Sequence, residues 1–141
     1  AAVIPKFVMQ MMKHEAPVIN GDGLYSRDFT YIDNVIQANQ LAAITPQNQL
    51  YKTDTKHEVF NVAFGERTNL NELFRILKMN LSEYDGEIDK LKVIHGPKRA
   101  GDIPHSLASI EKANKLLGYD PQFSVKDGLN EACGWYWENL K

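Results

Sequence analysis

The chain has 141 residues, a formal net charge of -2, and 43% hydrophobic, 10% aromatic and 24% charged residues, the make-up of an ordinary soluble domain with material for one core. This excludes disorder, collagen and low complexity, and 16 basic against 18 acidic side chains leave no overall positive field with which to hold a nucleic acid. The single cysteine, Cys133, can form neither an internal disulfide nor a structural zinc site, which favours a reducing, cytoplasmic setting, and no apolar run approaches the roughly 20 residues of a membrane span.

Ala1 leads straight into a helical pattern with no initiator Met or polar lead-in, so the chain reads as cut from a longer one. Ile4, Phe7, Val8, Met11 and Met12 predict a helix over 4–13, stopped by Pro17. Val18-Ile19 is a short strand, Gly21-Asp22-Gly23 a turn, and Arg27 to Tyr31 a second strand. Asp33 can cap a helix carrying Val35, Ile36, Ala38, Leu41, Ala42 and Ile44, which ends before Pro46 and gives way to a polar loop from Thr45 to Lys56. Glu58 to Ala63 is the best strand pattern in the sequence. After it come Gly65, a capping region (Thr68, Asn69, Glu72) and a helix through Leu70, Leu73, Ile76 and Leu77. Ser82 to Lys90 reads as acidic and exposed, Leu91 to His95 as a strand, and Gly96 to Asp102 as a loop. A short helix from Ile110 to Leu117 ends at Gly118, and Ser124 with Asp127 starts a last helix. There Val125, Leu129, Ala132, Tyr136 and Leu140 share a face flanked by Trp135 and Trp137, which are expected to pack.

With no repeat and no long Pro/Gly/Ser linker, residues 1–141 read as one domain of the α/β class. More closely it is a small α+β-like mixture of helices and a few short strands, too strand-poor for a doubly wound sheet. Gly65 stands alone, whereas a dinucleotide loop needs three glycines at fixed spacing, so it reads as a turn. His14, His57, His95 and His105 show no metal-ligand spacing, and no nucleophile elbow marks a hydrolase. Arg27 follows a Gly-Asp-Gly turn, and Arg99 sits in a Gly/Pro-rich loop just before Gly101-Asp102. Two guanidinium groups from separate loops can clamp a diphosphate, and Asp102 can accept from vicinal hydroxyls. Exposed Arg-Asp ion pairing is the plainer alternative.

Asn20-Gly21-Asp22-Gly23-Leu24-Tyr25-Ser26-Arg27-Asp28-Phe29-Thr30-Tyr31-Ile32-Asp33 resembles a signature of the extended short-chain dehydrogenase/reductase family. So do Arg99-Ala100-Gly101-Asp102, Leu117-Gly118-Tyr119-Asp120-Pro121, Val59-Phe60-Asn61-Val62 and Leu70-Asn71-Glu72-Leu73, which occur in the family's order over nearly the whole chain. Ala2 to Lys6 and His105 to Ala108 are most similar to UDP-sugar 4-epimerases acting on UDP-N-acetylglucosamine or -galactosamine, or on UDP-glucose, of the kind found in surface-polysaccharide pathways. The resemblance implies the family's C-terminal, substrate-binding lobe. Within it, Arg27 and Arg99 would lie on the diphosphate, Asp102 on the uridine ribose, Ala2 and Ser106 by the sugar, and Ile4 and Phe7 near the uracil. A serine at position 106, where epimerases of non-acetylated sugars carry a bulky aromatic, leaves room for an N-acetyl group.

The same resemblance exposes an absence: the sequence has neither the Gly-rich cofactor loop nor the Tyr-x-x-x-Lys pair of the family's Rossmann half. NAD would be bound by that half, no catalytic or cofactor-binding residue is expected here, and the chain alone is expected to be inactive. Family members are commonly dimers through helices of the other half, so a homodimer is an expectation for the full-length protein. The alternatives are a nucleotide-sugar dehydratase or decarboxylase, because the arginine clamp reads the diphosphate and not the reaction, and a non-catalytic nucleotide-sugar-binding module.

Overall fold

The computed structural model describes residues 2–50 and 57–140. In chain order these form α1 (Val3–Met12), β1 (Val18–Asn20), β2 (Ser26–Arg27), α2 (Ile32–Ile44), α3 (Gln47–Leu50), β3 (Thr68–Asn69), α4 (Leu70–Ser82), a 3-10 helix (Gly86–Lys90), β4 (Ile94–Gly96), α5 (Glu111–Leu117) and α6 (Val125–Asn139). β1 pairs in parallel with β4, and β2 antiparallel with β3. This is the mixed, helix-rich and strand-poor class that the sequence predicts.

Contacts gather the chain into two units interleaved along the sequence. One holds the chain up to Arg27, Thr68–Ser106 and Leu129 onward; the other holds Asp28–Arg67 and Leu107–Gly128. The chain passes from one to the other inside continuous motifs such as Arg27-Asp28, and no linker composition marks those passages.

The first unit is built on α1 packed against α4, which in turn packs against the 3-10 helix. Phe7, Val8 and Met11 of α1, Leu73, Leu77 and Leu81 of α4, Ile88, and Leu129 and Cys133 of α6 are all buried, each row following the helical period that brings a stripe to the core. Pro5 falls in the first turn of α1, where its missing N–H costs nothing. The predicted capping box starts α4: Asn69 Oδ1 accepts from Glu72 N at 2.9 Å, and Glu72 Oε2 accepts from Asn69 N at 3.0 Å. Leu73, Leu77 and Leu81 then follow on one face.

The second unit has a core of Ala38, Ala113, Leu117 and Tyr119, with Leu41, Leu50, Phe60, Val62 and Ile110 packed against it. Its irregular backbone is held by side chains. The Asp28 carboxylate accepts from the N–H groups of Phe64, Gly65 and Ala108 at 3.2–3.4 Å. The buried Asn34 amide accepts from Gln122 N and Phe123 N and donates to Phe123 O at 2.7 Å. The Tyr119 hydroxyl donates to Ala63 O at 2.7 Å, and burial, then the Asp28 charge, raises its pKa.

Several predicted elements are corrected. Residues 58–63 form no strand: no described segment pairs with them, and their backbone is served instead by Tyr119 and by Lys112, whose Nζ donates to Val59 O at 2.9 Å. The second strand stops at Arg27, where its pairing with Thr68 of β3 ends, and Asp28 beyond it turns its carboxylate to loop N–H groups. Asp33 lies inside the first turn of α2, and the cap position is Tyr31, whose side chain makes no capping bond to the helix. The loop after Pro46 contains α3, and its positions 51–56 lie outside the described residues. The segment from Ser82 to Lys90 is not wholly exposed, since Ile88 is buried. Trp137 packs on Tyr84 with ring centroids 5.4 Å apart, whereas Trp135 is 59% exposed.

Replacing Tyr119 with Phe leaves the Ala63 carbonyl without its donor. It is expected to lower unfolding stability by about 1–3 kcal/mol, read as a shifted denaturant midpoint with an unchanged slope. Burial pushes the Cys133 thiol up to about 11, against a smaller downward pull from Asn80. An aromatic disulfide reagent at about pH 8 is therefore expected to label Cys133 only after unfolding.

Candidate functional site

A cavity of about 220 Å³ opens in the first unit, lined by Val3, Lys6 and Phe7 of α1, Val18, Ile19 and Asn20 of β1, Tyr25, Arg27, Leu70, Arg99 and Asp102. Helical spacing puts Val3 and Phe7 on one face of α1 with Lys6 beside them. After β1 the chain reverses through Gly21-Asp22-Gly23 to bring Tyr25 and Arg27 to the opposite wall. That reversal needs glycine at position 23. Its φ is +76°, and a Cβ there would lie 2.3 Å from Asn71 Oδ1, while its carbonyl accepts from Leu70 N at 3.0 Å. The Leu24 N–H and then the charge of Lys98 hold the Asp22 carboxyl below its usual pKa.

The two arginines are not equivalent. Arg27 Nη2 donates to Asp102 Oδ1 at 2.7 Å, with both side chains about one-third exposed, and its Nη1 donates to Ser26 O at 2.9 Å. Lys6 and Arg99 make no ion pair with any described residue. Arg99 and Asp102 occupy the first and last positions of a turn closed by Asp102 N to Arg99 O at 3.4 Å. Gly101 takes φ +77° at its third position, as a type II turn requires. Three cations and one carboxylate thus share the cavity, an excess positive charge suited to an anion with two charges.

Of the residues singled out from the sequence, Phe7, Arg27, Arg99 and Asp102 are brought together here. Ala2, Ile4 and Ser106 are not in the lining: Ala2 and Ser106 are exposed and Ile4 half-buried. Lys6, Tyr25, Asn20 and Leu70 line the cavity without having been singled out. Lys6 and Tyr25 each lie inside a segment that carries the family resemblance, Ala2 to Lys6 and Asn20 to Asp33, and that membership is the signal the sequence offers for them.

The other chemical candidates have structural roles. Gly65 donates its N–H to Asp28, so that amide is not available to a phosphate. His14 Nε2 lies 2.7 Å from Asp85, His95 Nδ1 donates to Gly21 O at 2.8 Å, and His105 Nδ1 lies 2.9 Å from Ser26 Oγ. Among the described residues no group of three or more His, Cys, Asp or Glu could hold a metal, and no helix is long and apolar enough to cross a membrane.

The sequence profile of the GDP-mannose 4,6 dehydratase family matches residues 1–132. The chain belongs to this family. The family's members here are extended short-chain dehydrogenases/reductases, and the chain corresponds to their C-terminal portion. The UDP-glucose 4-epimerase of Thermotoga maritima, solved with UDP-glucose, superposes with a TM-score of 0.81 at 33% identity over 100% of this chain and 41% of that one. The UDP-N-acetylglucosamine 4-epimerase of Methanobrevibacter ruminantium, solved with UDP-N-acetylmuramic acid, gives 0.77 at 37% identity over 98% of this chain and 40% of that one. A Methanocaldococcus jannaschii protein provisionally named UDP-glucose 4-epimerase is 32% identical over 99% of this chain and 40% of its own length. The chain therefore spans about 40% of the relatives it matches.

Gly101→Ala tests the turn that carries Arg99 and Asp102. No neighbouring atom lies within 4 Å of the added Cβ, so the expected loss is the backbone term alone, about 1–2 kcal/mol, measured by denaturant unfolding.

Proposed function

We propose that the cavity holds the nucleoside diphosphate of a UDP-sugar, and that this chain is the substrate-holding portion of an NAD-dependent UDP-sugar 4-epimerase, with UDP-N-acetylhexosamines favoured. The observation that carries the proposal is the convergence of Arg27, Arg99 and Lys6 on one cavity beside Asp102. Arg99 and Lys6, both without ion-pair partners among the described residues, supply charge to the diphosphate. Arg27, held by Asp102 and the Ser26 carbonyl, presents a fixed guanidinium edge. The remaining lone pairs of Asp102 suit a ribose hydroxyl. Phe7, buried at the cavity wall, offers an apolar surface to the base, and Ile4, one turn earlier on α1, remains its proposed neighbour. Ala2 and Ser106 remain the proposed neighbours of the sugar and its N-acetyl group.

NAD would supply hydride chemistry to such an epimerase. This chain's residues do not fit it: the sequence has no three-glycine loop, and the Gly65 amide is taken by Asp28. None of the side chains described here is assigned a hydride or proton step. Their work is to bind and orient the ligand. A 4,6-dehydratase is the second reading, favoured by the description of the family that matches the chain.

Joined to the cofactor-binding portion of a relative, the chain is expected to interconvert UDP-N-acetylglucosamine and UDP-N-acetylgalactosamine. Arg99→Ala should lower kcat/KM by about 100-fold, the worth of lost charge-assisted bonds to phosphate. Full activity in that variant would overturn the assignment of Arg99, and a 4-keto-6-deoxy product by NMR would replace epimerase with dehydratase.

A further inference from the structure

We infer that His105 is a positioning residue: its bond to the buried Ser26 hydroxyl latches the Arg99–Ser106 loop onto β2 and so sets where Arg99 and Asp102 stand in the cavity. Ser26 is 6% exposed and lies between two neighbours. On one side it pairs with Asn69 of β3; on the other it forms a single parallel bridge with His105. Three bonds join the loop to this one residue. Ser26 N donates to Pro104 O at 2.9 Å, Ser106 N donates to Ser26 O at 3.1 Å, and Ser26 Oγ lies 2.9 Å from His105 Nδ1. The serine hydroxyl can donate to a bare Nδ1 or accept from a protonated one.

The rest of the loop is weakly held. Positions 97–101 and 103 are exposed. Besides the Arg27–Asp102 pair, their side-chain anchors are both through Lys98: the exposed pair with Asp22 at 3.7 Å and the ammonium over the Tyr25 ring, 5.9 Å from its centroid, contacts of a kind that contribute modestly. His105 is itself exposed, so its ring adds little to the core, yet one ring nitrogen is committed to a hydroxyl that is largely shut off from water. Without that ring the buried hydroxyl loses its partner, and the bridge beside it loosens. The residues next in sequence to the two partners are Arg27 and Ser106, so the latch fixes the register of the loop at the edge of the cavity.

The functional half of this inference rests on the proposal that the cavity takes a UDP-sugar, so the test reads the loop and the ligand separately. Hydrogen exchange at the Ser106 amide and calorimetric titration with UDP would be measured for the whole chain and for His105→Ala, His105→Gln, His105→Asn and Ser26→Ala. Asparagine places an amide atom where Nδ1 stands, and glutamine places it one bond further out. The Ala and Gln variants and Ser26→Ala are expected to exchange about tenfold faster and to bind UDP about tenfold more weakly, with His105→Asn close to wild type. Ser26→Ala combined with His105→Ala should add nothing to either single change. Unchanged exchange in His105→Ala, or equal loss in the Ala and Asn variants, would overturn the latch. The same exchange pattern across the variants, with no UDP bound by the wild-type chain, would uphold the latch and remove the UDP-sugar reading instead.

Discussion

With paired strands only two or three residues long among the described residues, this protein cannot rely on β-ladders to satisfy its backbone, and its buried loop groups are met by side chains and by single backbone bonds. In one unit that work falls to Asp28, Asn34 and Tyr119; in the other, Asn69, Asn71 and Ser26 hold the turns that shape the cavity. Residues of this kind look functional in a sequence because they are polar and sit beside glycines. Asp28 shows the point: it adjoins Arg27 in a motif that suggests ligand binding, yet its carboxylate is occupied by three backbone N–H groups.

The helices were the most legible part. Apolar periodicity placed α1, α2, α4, α5 and α6 to within a residue or two, and the Asn69–Glu72 and Ser124–Asp127 pairs marked two starts, because these signals are local and their partners lie within one turn. Strand patterns were less reliable. Residues 58–63 carry good β character, but a strand also requires a neighbour, and the alternation is spent instead on packing Phe60 and Val62 while Tyr119 and Lys112 meet the carbonyls. Ile88 was hidden for the opposite reason: a single apolar residue among acidic ones gives no period, although it closes against α4.

The cavity was legible to the extent that its chemistry is distinctive. Guanidinium groups beside glycine turns stand out, and Phe7, Arg27, Arg99 and Asp102 do converge. Lys6 is an ordinary lysine on an amphipathic helix until folding places it in the lining of the same cavity as Arg99. The unequal states of Arg27 and Arg99 also could not be read from the sequence, since they depend on the side to which Asp102 turns. Arg27 is held by Asp102 and the Ser26 carbonyl, while Arg99 has no ion-pair partner among the described residues.

The cavity gathers positive charge within a chain whose formal net charge is -2, so near and far fields oppose one another. Beyond a Debye length of about 8–10 Å these charges are largely screened; inside that distance the proposed diphosphate would meet Lys6, Arg27 and Arg99 beside Asp102. On the proposed reading, capture of a nucleoside diphosphate would be short-sighted: attraction would begin only once the ligand is almost seated, which would make the first encounter a matter of diffusion and shape and leave electrostatics to govern how long the ligand stays.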